Sequence, residues 1–365
     1  MARGRKGRLD KILLFTVVLI SLLGIVFIYS ATWVRGDATS GINPLVAKQC
    51  VWVAVGFVVL LVMTNIEYLK ILDFAYLAYA VNLALLVFLL LFGGEHYGAR
   101  RWIDLGPASL QPSEFVKITM ILALAAFLGE RRERIGTLKN YIGALVLIMP
   151  AVVLIFLQPD LGTAIVLIPV FFAIMFICGE KVRYILSSVA VGLAGLPVFW
   201  GLMKDYQKDR LLVFINPNRD PLGAGYTIIQ SKIAIGSGGI FGKGWLNGTQ
   251  SYLKFLPERH TDFIFSVVGE EWGFVGAVAL IALYALVVAR GVKIIGSTAD
   301  IYGRAIAAGI VTLIAFQVFV NISMTIGLMP VVGLPLPAIS YGGSNTIATF
   351  ISIGFLLSIS RRVHH

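Results

Sequence analysis

Glu258, Arg259, His260, Thr261 and Asp262 stand side by side, directly ahead of the apolar run Phe263-Ile264-Phe265-Ser266-Val267-Val268. Charge is costly in hydrocarbon, roughly 2.5–3.5 kcal/mol for an Asp, Lys or Arg near the centre of a spanning helix. A dense charged cluster that runs into such a segment is therefore a candidate site at a membrane surface. If the chain is helical from 262 onward, Asp262 shares a face with Ser266, Gly269 and Gly273. Small residues on that stripe allow either close helix packing or a groove below the carboxylate. A lone carboxylate here would read as a solvated helix N-cap. The convergence of Glu258, Arg259, His260 and Asp262 favours chemistry.

Four further segments place polar groups among apolar ones. In Gly98-Ala99-Arg100-Arg101-Trp102 and the later Gln111-Pro112-Ser113-Glu114-Phe115-Val116-Lys117, Pro112 and Ser113 suit the first turn of a helix. Glu114 and Lys117 are then three apart on one face and can pair. The pair is either a structural device that lets both charges enter the membrane or, with Arg101, a grip on an anionic head group. Gln158-Pro159-Asp160-Leu161-Gly162-Thr163 reads as a tight turn, with Asp160 either capping the next helix or contacting substrate. Gln317 and Asn321 stand at i,i+4 with Thr325 one turn on, a spacing that suits hydrogen bonds between helices. Finally, the stretch from Met329 to Ser344, which includes Ser340, holds three prolines and three glycines and excludes a continuous helix. Irregular backbone at membrane depth is tolerated only when buried in protein or lining a cavity.

The elements that must position these groups are helices in a membrane. Of 365 residues 58% are hydrophobic and only 13% charged, and the mean hydropathy is +0.88, which excludes a soluble globular domain. Spanning-length apolar runs predict about ten helices, near 11–34, 49–64, 71–92, 113–129, 141–157, 161–178, 183–203, 263–289, 304–328 and 343–360. The fold class is thus all-α and polytopic, one membrane domain over 1–365, with a large outer loop at 204–262 between the seventh and eighth spans. The net charge of +11 would suit nucleic acid, but the basic residues bunch at helix ends: Arg3, Arg5, Lys6, Arg8 and Lys11; Arg131, Arg132, Arg134 and Lys139; Lys181 and Arg183; Arg290, Lys293 and Arg304; Arg361 and Arg362. That is the positive-inside pattern; it argues against nucleic acid and predicts both termini in the cytoplasm. The outer loop carries eight Lys or Arg but is long enough to stand near the limit of that rule.

Several motifs fail on inspection. The glycine-rich stretch 235–244 has Ser237 and Gly244 where a phosphate loop needs Gly and Ser or Thr. Cys50 and Cys178 sit in apolar runs and give no disulfide framework, and the four histidines, His96, His260, His364 and His365, have no paired metal-ligand spacing. The basic N-terminus followed by an apolar run resembles a signal peptide, but 12–34 is too long for a cleaved core and reads as a first helix.

Together these segments resemble the SEDS family (shape, elongation, division and sporulation), over nearly the whole chain. The resemblance is nearer to its RodA branch than to its FtsW branch. Asn216-Pro217, Asp220 to Tyr226, Gln230 to Gly239 and Asn321 to Pro330 carry that distinction, with Trp272 and Ser323 as mild departures. It implies a peptidoglycan glycosyltransferase that polymerises lipid II into β-1,4 glycan at the outer face of the bacterial cytoplasmic membrane. The implied partner is a class B penicillin-binding protein (PBP2-like) of the elongation machinery. On this reading Asp262 matches the family's essential carboxylate and is the expected general base. Arg101, Glu114, Lys117, Asp160, His260 and Ser340 are the expected substrate-binding residues. No cofactor is implied with certainty; a divalent cation (Mg or Mn) bridging pyrophosphate and Asp262 is chemically compatible, though the sequence shows no dedicated cage. A lipid II flippase and a non-catalytic scaffold for the penicillin-binding protein are the rival readings.

Overall fold

The computed structural model describes residues 9–33, 43–93, 101–104, 106, 109–203, 205–221, 223–253 and 255–362. Of the residues singled out above, Arg3, Arg5, Lys6, Arg8, Val34, His96, Gly98, Ala99, Arg100, Lys204, Leu222, His364 and His365 lie outside these. In chain order the helices are α1 (Lys11–Thr32), α2 (Pro44–Asn65), α3 (Tyr68–Leu72), α4 (Ala75–Phe92), α5 (Pro112–Glu130), α6 (Leu138–Leu157), α7 (Leu161–Ile177), α8 (Val182–Ala194), α9 (Leu196–Leu202), α10 (Asp205–Ile215), α11 (Ala224–Ser237), α12 (Thr249–Tyr252), α13 (Ile264–Ser297), α14 (Ile301–Thr325) and α15 (Gly343–Ser360). A two-residue antiparallel pair, β1 (Ile103–Asp104) with β2 (Ser109–Leu110), precedes α5.

Among the described residues eight helices are long and apolar enough to cross a membrane, and the shorter apolar α7 and α8 fall on two further expected spans. The bundle has an apolar core and, unlike a soluble protein, an apolar exterior as well. Helices α5, α14 and α15 are mostly buried and form its centre. The outer helices α2, α4 and α13 turn Val51, Val58, Phe88, Phe92 and Phe274 outward, as suits contact with lipid tails.

Several boundaries move for identifiable reasons. Helix α2 starts at Pro44 rather than 49, because Asn43 caps it by accepting the Leu45 N–H at 2.9 Å. The expected span 183–203 divides into α8 and α9 at Gly195, where Pro197 cannot donate into the helical ladder. Helix α13 runs on past the expected end at 289, since the charge that suggested the stop, Arg290, pairs with Asp10 at 2.6 Å.

Helix α13 is also interrupted at Gly273, whose φ of 64° and ψ of −158° are not helical. An interruption leaves free N–H and C=O groups that need partners. The hairpin after α11 supplies them. Phe274 and Val275 donate their N–H groups to Gly239 and Ile240, while Glu270 and Glu271 carbonyls accept from Lys243 and Gly244. Helix α11 and the hairpin after it are thus folded onto α13.

Two ends of the bundle can be told apart by contacts. At one, Asp10 meets Arg290, Tyr68 meets Asp300, Arg361 donates to Asn65, Arg304 donates to the Ile177 carbonyl, and Glu180 accepts from Gly136 and Asn140. The basic residues between 131 and 139, at 181 and 183, and at 361 and 362 lie at this end. At the other end α1 finishes, α7 and α15 begin, and α13 enters.

Candidate active site

Asp262 lies in the turn just before α13, so its backbone is not fixed by a helix. Neighbouring segments hold the turn instead. The His260, Thr261 and Asp262 carbonyls accept, respectively, from the Tyr341 N–H (2.9 Å), the Ser340 hydroxyl (2.6 Å) and the Asn321 amide (2.9 Å). Three successive carbonyls are thereby fixed by α14 and by the segment between α14 and α15.

That segment, the proline- and glycine-rich stretch, is buried: Leu334, Leu336, Ile339 and Ser340 expose almost nothing. Its polar groups find partners in surrounding helices. Tyr284 donates to the Pro337 carbonyl at 2.6 Å, and Gln49 accepts from the Gly342 N–H at 3.2 Å. Gly24 of α1 lets it approach closely, since a Cβ there would lie 2.8 Å from Ile339 Cα. On its face toward the turn is Gly333, at a left-handed φ of 70°, where an added Cβ would lie 3.3 Å from Asp262 Oδ2. The carboxylate therefore faces bare backbone.

The charges around Asp262 come from four separate stretches. Burial by the surrounding protein is the main cause that pushes its carboxyl up from 3.8 to about 7. Glu258 and Asp160 push in the same direction, while Arg210 and Arg101 oppose them. Among the described residues no hydrogen bond reaches the Asp262 side chain, which is partly exposed. A carboxylate of this kind is half ionised near neutral pH and open to accept a proton.

Arg101 grips the turn ahead of α7. It donates to the Pro159 carbonyl, to the Gln158 carbonyl at 3.3 Å, and lies 3.9 Å from Asp160. Asp160 caps α7 by accepting from the Thr163 N–H (3.3 Å) and hydroxyl (3.0 Å), and it also accepts from the Ser113 hydroxyl at 3.3 Å. Of its two expected roles, the cap is the one its contacts serve. Arg259 donates to the Ala31 carbonyl at the end of α1. His260 is half-buried with its ring 5.7 Å from that of Tyr341, and burial lowers its pKa, with Arg259 adding to the effect and Glu258 opposing it.

Two expectations need correcting in their geometry. Ser340 is fully buried, and its hydroxyl is occupied by the Thr261 carbonyl and the Leu336 N–H (2.7 Å), so it braces the turn and offers no surface to a ligand. Glu114 and Lys117 pair with each other at 2.8 Å, each only 2–3% exposed. They lie behind Ser113 and Asp160, and neither is among the leading charges that act on Asp262. The structure therefore brings Arg101, Asp160, His260 and Asp262 to one mouth and sets Glu114 and Lys117 beneath it.

Arg210 was missed. It sits on α10, exposed, within reach of both Asp262 and the Val331 carbonyl (3.5 Å). The signal is in the sequence: Asp205–Ile215 is a helical stretch inside the segment that reads as one large outer loop. Gly333 carried no signal, because its importance depends on what stands opposite.

A family model described as the cell cycle proteins FtsW, RodA and SpoVE matches residues 10–365. The chain belongs to the FtsW/RodA/SpoVE family. Within this family it is similar to the peptidoglycan glycosyltransferase MrdB of Escherichia coli K12, at 43% identity over 96% of this chain and 94% of the relative. Its fold is similar to a chain of a solved peptidoglycan synthase complex that coordinates polymerization and crosslinking, with a TM-score of 0.81 and 36% identity over 98% of this chain and 99% of that one. The rod shape determining protein RodA of Thermus thermophilus gives a TM-score of 0.73 and 34% identity, with 98% of each chain covered. Membership in this bacterial family agrees with an integral membrane protein of the all-α class.

Proposed function

We propose that this chain is a peptidoglycan glycosyltransferase that polymerises lipid II during cell elongation, with Asp262 as general base. The observation that carries the reading is the Asp262 carboxylate, which accepts no hydrogen bond from the described residues, faces Gly333 and has its pKa pushed up to about 7 at the mouth of the bundle. The acceptor sugar hydroxyl attacks the donor's anomeric carbon, the bond from that carbon to the pyrophosphate breaks, and the hydroxyl proton passes to Asp262. The α-linked donor becomes a β-1,4 product in one inversion without a covalent enzyme intermediate. Arg101 and Arg210, which flank Asp262, balance the charge gathered on the departing undecaprenyl pyrophosphate. Lys117, paired with Glu114 beneath the mouth, supports the site from behind rather than touching the substrate.

The basic end of the bundle faces the cytoplasm on the positive-inside rule, so the site, at the opposite end, faces outward. Lipid II reaches it from the outer leaflet. The partner is a class B penicillin-binding protein, a reading supported by the likeness to a synthase complex that joins polymerization with crosslinking. Among the described residues no three of His, Cys, Asp and Glu gather as a metal cage. A divalent cation would therefore be held by the donor's phosphates, with at most Asp262 from the protein.

The deciding experiment is a lipid II polymerisation assay on the purified chain, with and without the class B partner. A positioned base contributes about 10²–10⁴-fold, so Asp262→Ala should lose that much turnover while remaining folded. Wild-type turnover in that variant would sink the assignment. A parallel lipid II translocation assay separates the flippase reading: translocation by the purified chain with no polymer product, with or without the partner, would favour it.

A further inference from the structure

Asn321 makes two hydrogen bonds with one amide nitrogen. Its Nδ2 donates to the Asp262 carbonyl at 2.9 Å and to the Leu334 carbonyl at 2.7 Å. The side chain is fully buried, and its Oδ1 has no partner. Leaving a buried amide oxygen without a donor costs free energy, so the orientation of the side chain is dictated by the two carbonyls. Those carbonyls belong to the two backbone stretches that define the site. One carries the Asp262 carboxylate. The other is one residue from Gly333, the backbone that faces that carboxylate.

We infer that Asn321 is a positioning residue for the Asp262 carboxylate, setting its distance from the segment opposite by tying both backbones to one side chain. The inference rests on the general-base reading of Asp262. Ser340 and Tyr341 hold the preceding two carbonyls, but each belongs to the segment itself. Asn321 alone, of these three donors, anchors both stretches to the central helix α14. Thr325, one turn on, continues the seam: its carbonyl accepts from Ser231 at 2.6 Å, and Ser231 lies 2.7 Å from Ser266 on α13. Without the Asn321 tie, the turn ahead of α13 would be free to shift against Gly333. A misplacement of about 1 Å can cost about 10²-fold in rate.

The test measures polymerisation by the full chain, with its class B partner, as a function of pH for Asn321→Leu, which keeps the branched side-chain skeleton and removes both N–H donors. The expected result is a kcat lower by about 10–100-fold with KM within about twofold, as befits an interaction realised in the transition state. The midpoint of the acid limb should also move toward the ordinary carboxylate range as Asp262 gains water. A kcat and midpoint equal to wild type would overturn the inference. So would a loss of kcat that is equal at every pH and accompanied by a collapsed thermal midpoint, since that marks a structural role. If the leucine variant does not fold, Asn321→Ser is measured the same way, and failure of both to fold also overturns the inference. Asp262→Ala serves as the reference: if it keeps full activity the base reading itself fails, whereas an inactive Asp262→Ala beside an unaltered Asn321→Leu rejects only the positioning role.

Discussion

The proposed chemistry turns on one carboxyl group, that of Asp262, whose surroundings disfavour its charge. Burial is the leading cause, so the neutral form persists up to about pH 7. A base acts only when deprotonated, so polymerisation should rise through a midpoint near 7 and level off above it; a flat rate between pH 5 and 8 would contradict this. The same shift has a consequence for stability. The folded pKa lies above the ordinary value of 3.8, so between the two the folded state binds the proton that the unfolded state has lost. Stability contributed by that proton is present below 3.8 and is lost as pH rises through about 7. Asp262→Asn should therefore raise the thermal midpoint in detergent at pH 8 and leave it unchanged at pH 4. A lower midpoint at pH 8 would mean that the carboxylate makes stabilising contacts of its own.

At the scale of elements, the break in α13 is what lets the hairpin after α11 pair with that helix. Gly273 is fixed there twice over. Its φ of 64° disfavours any side chain, by about 1–3 kcal/mol, and an added Cβ would lie 2.3 Å from the Gly242 nitrogen and 2.7 Å from the Ile240 oxygen. Gly273→Ala should lower the thermal midpoint markedly, whereas Gly296→Ala, in the same helix with nothing near its Cβ, should be neutral or stabilising by up to about 1 kcal/mol. Equal effects at the two positions would count against a structural break. Apolar run length made the spans legible from the sequence, and the charge cluster at 258–262 marked the candidate site, because both depend on composition over short windows. The break was not legible. Gly269 and Gly273 fit a continuous small-residue stripe equally well, and only the hairpin at 238–244, distant in sequence, tells the two apart. Ser340 was misjudged for a related reason: a serine in irregular backbone signals a polar contact without naming its partner, which here is the Thr261 carbonyl.

For the whole molecule, orientation decides which substrate pool the site can reach. The contacts that join Asp10 to Arg290, Asn65 to Arg361 and Ile177 to Arg304 collect the ends of six helices at one pole, and most of the helix-end basic residues go with them. The site is assembled at the other pole, where Arg259 meets the end of α1 and Arg101 the start of α7. An active site on the cytoplasmic side would require Arg131, Arg132, Arg134 and Lys181 to stand on the outside, against the charge rule. Labelling resolves this directly. With Cys50 and Cys178 replaced by alanine, a single cysteine at exposed Glu258 should react with a membrane-impermeant maleimide in intact spheroplasts. One at exposed Arg132 should react only after lysis. The reverse pattern would turn the molecule over, deny Asp262 the outer leaflet, and leave the polymerase reading without its substrate.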